Sequence, residues 1–143
     1  MDADTVRLVV IAVLATAGGG LNRVVGDRVT VLGKKEGLPT DEVSSVYEDR
    51  AGTLWVGTSD GKVWLTKNAG KAWKDLAADL KDAPAKFRVA DLEAAHDDAN
   101  TAWLAFDGHR SDDLAVHLFR TNNGGKTWKR IGQGIDRGPV LAL

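Results

Sequence analysis

Short apolar runs alternate with clusters of Gly, Asn and Asp along most of this chain. The runs are rich in Val, Thr and Trp, and they are too short for helices with apolar positions three and four residues apart. Strands bounded by turn residues give this pattern. The sequence therefore predicts an all-β protein of antiparallel strands joined by tight turns.

Two of the turns share one design, T-K-N-A-G-K-A-W over 66–73 and T-N-N-G-G-K-T-W over 121–128. The shared positions are Thr66, Asn68, Gly70 and Trp73 in the first turn and Thr121, Asn123, Gly125 and Trp128 in the second. Asn and Gly accept the positive φ of a tight turn, and the Thr and Asn side chains bond the turn's own backbone. The Trp returns to cover the apolar face. Each string predicts a hairpin, and the repetition predicts repeated units.

The spacing of other similar segments gives the length of the unit. Leu14–Gly18 aligns with Val56–Asp60 at 42 residues, and Thr53–Gly57 aligns with Thr101–Ala105 at 48 residues. A four-stranded propeller blade takes about 40 to 50 residues. The repeat therefore predicts β-propeller blades of four antiparallel strands.

Assigned to blades, residues 1–143 form a single propeller segment of about three blades' worth of strands. The strands occupy 9–32 in a first blade that lacks its innermost strand, 42–76 and 88–131 in two complete blades, and 139–143 as a stub. A closed ring takes about four to eight blades. We therefore expect either part of a longer propeller or a homo-oligomeric ring in which Val140–Leu143 of one chain completes the first blade of the next.

Composition and charge exclude several classes. The net charge is −1 and basic and acidic residues are interspersed, so the chain offers no basic stripe to a nucleic acid. The absence of cysteine removes disulfides and thiolate chemistry, and the sequence calls for neither a metal nor a cofactor. Leu8–Ala15 is too short to span a membrane, and the two Asp residues of Met1–Arg7 do not suit an export signal, so we expect a strand there.

The two turns resemble the Asp-box, or BNR, repeat S/T-x-D-x-G-x-x-W of sialidases and sortilin-like propellers, with Asn68 and Asn123 in place of the usual Asp. The stretch 87–131 is similar to a blade of bacterial sortilin-like or glycosyl hydrolase BNR proteins. The stretch 18–61, with E-G-L-P-T-D-E-V-S-S-V-Y-E-D-R-A-G-T-L-W-V-G-T-S-D-G, is similar to the two-component-regulator propeller repeat. These resemblances imply a propeller fold, a structural role for the turns, and a periplasmic or secreted location.

One loop concentrates the residues that could carry chemistry. It runs D-G-H-R-S-D-D over 107–113, and its candidate ligand-binding residues are Asp107, His109, Arg110, Asp112 and Asp113. Two carboxylates about 5 to 9.5 Å apart would suit glycoside hydrolysis. With His109 they would suit a divalent cation. The alternative is a solvated surface loop, since loops are polar by default.

The remaining sequence evidence favours a non-enzymatic binding or scaffold module for carbohydrate or protein ligands. A sialidase-like site would need arginines from several blades around Tyr47, but Arg88, Arg110 and Arg120 fall in one blade. No G-x-S-x-G, P-loop or H-E-x-x-H motif is present. The alternatives are a glycoside hydrolase fragment with an incomplete active site and a truncated product without activity of its own.

Overall fold

The computed structural model describes residues 11–16, 20–76, 79–84, 86–135, 138, 140 and 143. Within them the strands form three antiparallel sheets, each with its strands side by side in chain order. The first sheet contains β1 (Ile11–Thr16), β2 (Gly20–Val25) and β3 (Arg28–Leu32). The second contains β4 (Val43–Glu48), β5 (Leu54–Thr58), β6 (Val63–Thr66) and β7 (Lys74–Asp75). The third contains β8 (Arg88–Ala94), β9 (Ala102–Asp107), β10 (His117–Thr121) and β11 (Lys129–Ile131).

The sheets stack face to face in chain order, with their first strands on one side. β4 contacts β8, so the leading strands of the second and third sheets are neighbours. β5 also contacts β8, and β1 contacts β4 in the same way. β1 therefore corresponds to β5, the second strand of its sheet. Among the described residues, the first sheet has no strand that corresponds to β4 or β8. The predicted strand at 139–143 and the start of the one at 9–16 lie largely outside the described residues.

The outer strands are shorter than the sequence predicts. The sequence predicts the last strands of the two complete blades at Ala72–Leu76 and Thr127–Ile131. In the structure β7 covers only Lys74–Asp75 and β11 only Lys129–Ile131. The cause is local, because the N–H groups of Ala72 and Thr127 donate to the Asn side chains of the preceding turns. These two N–H groups are therefore not available to a β-ladder.

Most of the buried apolar side chains lie between neighbouring sheets. The larger cluster lies between the second and third sheets and includes Trp55, Leu76, Leu92, Phe106 and Phe119. A smaller one, of Leu21, Leu38, Val43 and Val56, joins the first sheet to the second. The close approach of β5 to β8 depends on Gly57, where a Cβ would overlap the Val89 side chain. Stacking of sheets, rather than one central core, therefore buries the apolar surface.

Candidate functional site

The two turns of shared design form matching sets of hydrogen bonds. The Oγ1 atom of Thr66 accepts from the N–H of Gly70 at 3.0 Å and donates to Oδ1 of Asn68 at 3.0 Å. Oδ1 of Asn68 also accepts from the N–H of Ala72 at 2.8 Å. Thr121, Asn123, Gly125 and Thr127 repeat this set at 3.0 Å for each of the three bonds. Because only the oxygen of Asn68 or Asn123 is needed in these bonds, Asn replaces Asp without loss of the turn.

Each turn also packs against the sheet that precedes it. Trp128 of the second turn meets Trp55 of the second sheet edge to face, with ring centroids 6.2 Å apart. Trp73 of the first turn packs on the cluster that contains Leu21 of the first sheet. The indole of Trp55 is held in turn by Asp49, whose Oδ2 accepts from its Nε1 at 3.0 Å. The Trp residues therefore join neighbouring sheets.

A cleft of about 530 Å³ opens between the second and third sheets, at the ends of β5 and β9 and the starts of β4 and β8. The lining residues that carry charge or a hydroxyl group are Glu42, Ser44, Ser59, Lys86, Arg88, Asp107, Arg110 and Ser111. Its volume is in the range of about 300 to 1,000 Å³ that small-molecule sites occupy. Polar and charged side chains from the second and third sheets and from their connecting segments thus line a cleft of suitable size for a ligand.

The structure brings only part of the predicted loop cluster to this cleft. Asp107 and Arg110 line it, whereas His109, Asp112 and Asp113 are not among its lining residues. Asp112 ends a short 3-10 turn over His109–Ser111 with φ 58°, and its side chain is exposed. Asp113 faces His117, with Oδ2 3.2 Å from Nε2. Of the five residues, the structure therefore places two at the cleft lining.

Asp107 is a buried carboxylate held by its own loop. Its side chain is 4% exposed, and its oxygens lie 2.7 and 2.6 Å from Nδ1 of His109. Burial acts to raise the pKa of Asp107. The amide and ring of His109 and the charge of Arg88 outweigh that effect, so the pKa lies below its ordinary value of 3.8. Asp107 is thus ionised at neutral pH and is not a proton donor there.

His117, just after the same loop, contacts both Arg130 and Asp113. His117 is 7% exposed, and its Nδ1 lies 3.2 Å from a guanidinium nitrogen of Arg130. A guanidinium only donates, so Nδ1 accepts, and the ring proton is on Nε2, facing Asp113. Hydrogen bonding to the Ala115 amide holds the pKa of Asp113 below its ordinary value, with a smaller contribution from His117. These contacts place Asp113 in a structural network rather than at the cleft.

Three charged residues of the cleft lining were not among the predicted site residues. Lys86 lies in the link before β8, Arg88 is the first residue of β8, and Glu42 lies just before β4. No local motif in the sequence marks these particular side chains. Their position follows from sheet packing, since a Cβ on Gly61 would lie 2.5 Å from the carbonyl oxygen of Phe87.

Tyr47 lies away from the cleft, near the far end of β4. Burial raises the pKa of its hydroxyl, and the charges of Glu93 and Asp49 raise it further. A nucleophilic Tyr would need its pKa lowered. The environment of Tyr47 therefore does not activate it as a nucleophile.

Comparison with known proteins identifies the fold. A solved structure of an ancestral GH74 enzyme superposes with a TM-score of 0.63 and 15% sequence identity, over 85% of this chain and 16% of that one. The chain has a β-propeller fold. The family model of the two-component regulator propeller matches this propeller over residues 37–60, which include β4 and β5. No curated protein matches the propeller chain.

These findings confirm the predicted all-β blades and the similarity to two-component-regulator propellers. The propeller chain spans 16% of the length of the GH74 enzyme, and at this identity the likeness concerns the fold alone. The BNR and sortilin-like resemblance of the turns stays a prediction. Among the described residues of the propeller, no group of three His, Asp or Glu is placed to hold a metal ion. In the same part of the chain, no helix is long and apolar enough to cross a membrane.

Proposed function

We propose that this propeller segment is a binding module and that its ligand occupies the cleft between the second and third sheets. The supporting observation is that exposed charged side chains from both sheets meet there, Glu42 from one and Lys86, Arg88 and Arg110 from the other. Exposed polar groups around a concave surface are typical of ligand sites. A carbohydrate or a segment of a protein would fit this role.

In the same proposal, the two Thr-Asn-Gly-Trp turns are scaffold elements. Their Thr and Asn side chains bond the turns' own backbone, and their Trp side chains pack on other sheets. The Thr hydroxyls and the Asn side-chain oxygens are thus bound within the turns themselves. The module acts outside the cytoplasm, in the periplasm or after secretion, and either further blades of a longer propeller or further copies of this chain complete the ring.

Binding is tested by screening neutral and acidic oligosaccharides against the purified chain by calorimetry. Ser59→Trp fills the cleft from an exposed position and is the matched test variant, because Ser59 contributes a backbone N–H bond to Glu42 that the substitution keeps. The proposal expects saturable binding that Ser59→Trp abolishes. Binding that survives this variant unchanged would place the ligand elsewhere.

A glycoside hydrolase is the second candidate, because two carboxylates, Glu42 and Asp107, line the one cleft. Asp107 is ionised and would act as base or nucleophile, which leaves exposed Glu42 as the acid. Hydrolysis of a chromogenic glycoside that is lost in both Glu42→Gln and Asp107→Asn would support this candidate. Asp112→Ala is the control, since Asp112 does not line the cleft.

A further inference from the structure

Three cations of the cleft have no ionic partner in the part of the chain that the structure describes. The side chains of Lys86, Arg88 and Arg110 are exposed, and no described carboxylate oxygen lies within 4.0 Å of their charged nitrogens. An unpaired arginine is common on a surface. Three unpaired cations on the lining of one cleft are less common, because like charges repel one another. An anion bound between them would relieve this repulsion.

The acids of the cleft do not neutralise these cations. Asp107 is almost fully buried, and both of its oxygens lie within 2.7 Å of the His109 ring nitrogen. It attracts Arg88 through space, without an ion-pair contact. Glu42 is the only other acid among the lining residues. The exposed part of the cleft therefore carries an excess of positive charge.

The fold does not require a cation at the position of Arg88. In strand register, Arg88 lies opposite Asp107 at the start of the third sheet. Glu42 has the same position in the second sheet, where its carbonyl accepts from the N–H of Ser59. Glu42 of the second sheet and Arg88 of the third sheet thus occupy equivalent positions, although their charges are opposite. The charge at this position is free to serve a ligand rather than the scaffold.

The backbone adds an independent observation at Lys86. This residue has φ 67°, a left-handed conformation that a side chain makes unfavourable. The close approach of the Phe87 carbonyl to Gly61 holds the link in place. Strained backbone that neighbouring structure maintains is concentrated at binding and catalytic sites.

We infer that the cleft binds a small anionic ligand, whose carboxylate or sulfate group is held by Arg88 and Arg110 with Lys86 beside them. This inference rests on the proposed binding function and names its ligand class. Guanidinium groups pair with oxyanions through two parallel hydrogen bonds, which gives both strength and orientation. The volume of about 530 Å³ suits a small molecule, such as a uronate-containing or sulfated oligosaccharide, better than a flat protein surface.

The test is a titration of the ¹⁵N-labelled chain followed by NMR, with trigalacturonate and sodium sulfate as probes. The methyl ester of trigalacturonate is the neutral control, and sodium chloride at equal ionic strength controls for screening. We expect saturable shifts of the amides at 86–88 and 108–111 with trigalacturonate or sulfate, and none with the two controls. Arg88→Gln with Arg110→Gln should weaken binding at least about tenfold. Arg120→Gln, an exposed arginine on β10 outside this cleft, should not.

Two results would overturn the inference. If the methyl ester binds as tightly as the acid and Ser59→Trp abolishes both, the cleft binds ligands without using charge, and only the proposed function stands. If neither anionic probe shifts the cleft amides up to about 20 mM, where even millimolar affinity is visible, the anion site does not exist. The oligosaccharide screen with Ser59→Trp then decides the proposed function separately.

Discussion

The indole ring of Trp55 meets that of Trp128 edge on, with an interplanar angle of 89°, and this contact joins the second sheet to the third. Trp55 is 1% exposed and also donates to the buried carboxylate of Asp49. Aromatic contacts of this geometry stabilise a fold beyond the area that they bury.

Trp55→Ala should lower the free energy of unfolding by about 3 to 5 kcal/mol, because it removes a buried ring and leaves a cavity between two sheets. Urea denaturation measures the loss. Trp103→Ala is the matched control, since Trp103 has the same place in the third sheet but is only half-buried. It should cost clearly less, and equal losses would contradict a special role for the Trp55 contact.

Asn68→Asp should leave stability nearly unchanged, whereas Asn68→Ala should lower it by about 1 kcal/mol. Aspartate keeps the oxygen that accepts from Thr66 and Ala72, and alanine removes it. Thermal unfolding of both variants makes the comparison. Asn123→Asp should cost more than Asn68→Asp, because Nδ2 of Asn123 donates to Oγ1 of Thr127 at 2.7 Å and aspartate loses this bond. A large loss in Asn68→Asp would show that the amide nitrogen matters as well.

Ala69→Gly should stabilise the chain by about 0.5 to 1 kcal/mol. Ala69 has φ 57°, and the equivalent residue of the second turn is Gly124 with φ 71°. Glycine relieves the left-handed strain at this exposed position. Gly124→Ala is the reverse experiment and should destabilise; a melting temperature that falls in Ala69→Gly would refute the strain argument.

Acid should destabilise the fold through Asp107, whose folded pKa lies below the ordinary value of 3.8. A carboxyl with a lowered pKa stabilises the fold above its unfolded pKa, and this stabilisation is lost as the pH falls through the folded pKa. Unfolding followed from pH 7 down to about pH 2 should show a loss that begins as the pH approaches the ordinary value. In Asp107→Asn the acid-dependent loss should be smaller, and an identical pH profile would exclude Asp107 as a cause.

The blade architecture could be predicted because its signals are local. The turns at 66–73 and 121–128 carry their own hydrogen-bonding groups, so their chemistry is visible in eight consecutive residues. The ends of β7 and β11 could not be predicted in the same way. They depend on whether a backbone N–H bonds a side chain or a neighbouring strand, and both choices suit the sequence.

The candidate site was predictable only where its residues share a segment. Asp107 and Arg110 belong to one loop, 107–113, whose concentration of charged residues is visible in the sequence. Lys86 and Arg88 reach the cleft because the link before β8 packs against Gly61 of another sheet. Contacts between distant segments leave no periodicity in the sequence, so Lys86 and Arg88 could not be predicted as lining residues.

The turn of each blade packs backward, onto the sheet made before it. Trp73 contacts the cluster around Leu21, and Trp128 contacts Trp55. During synthesis a chain emerges from its amino end, so each new sheet meets a surface that has already been made. Sheets that depend on their neighbours in this way gain stability one interface at a time. The blades can therefore fold one after another during translation, because each new blade packs on the one that precedes it.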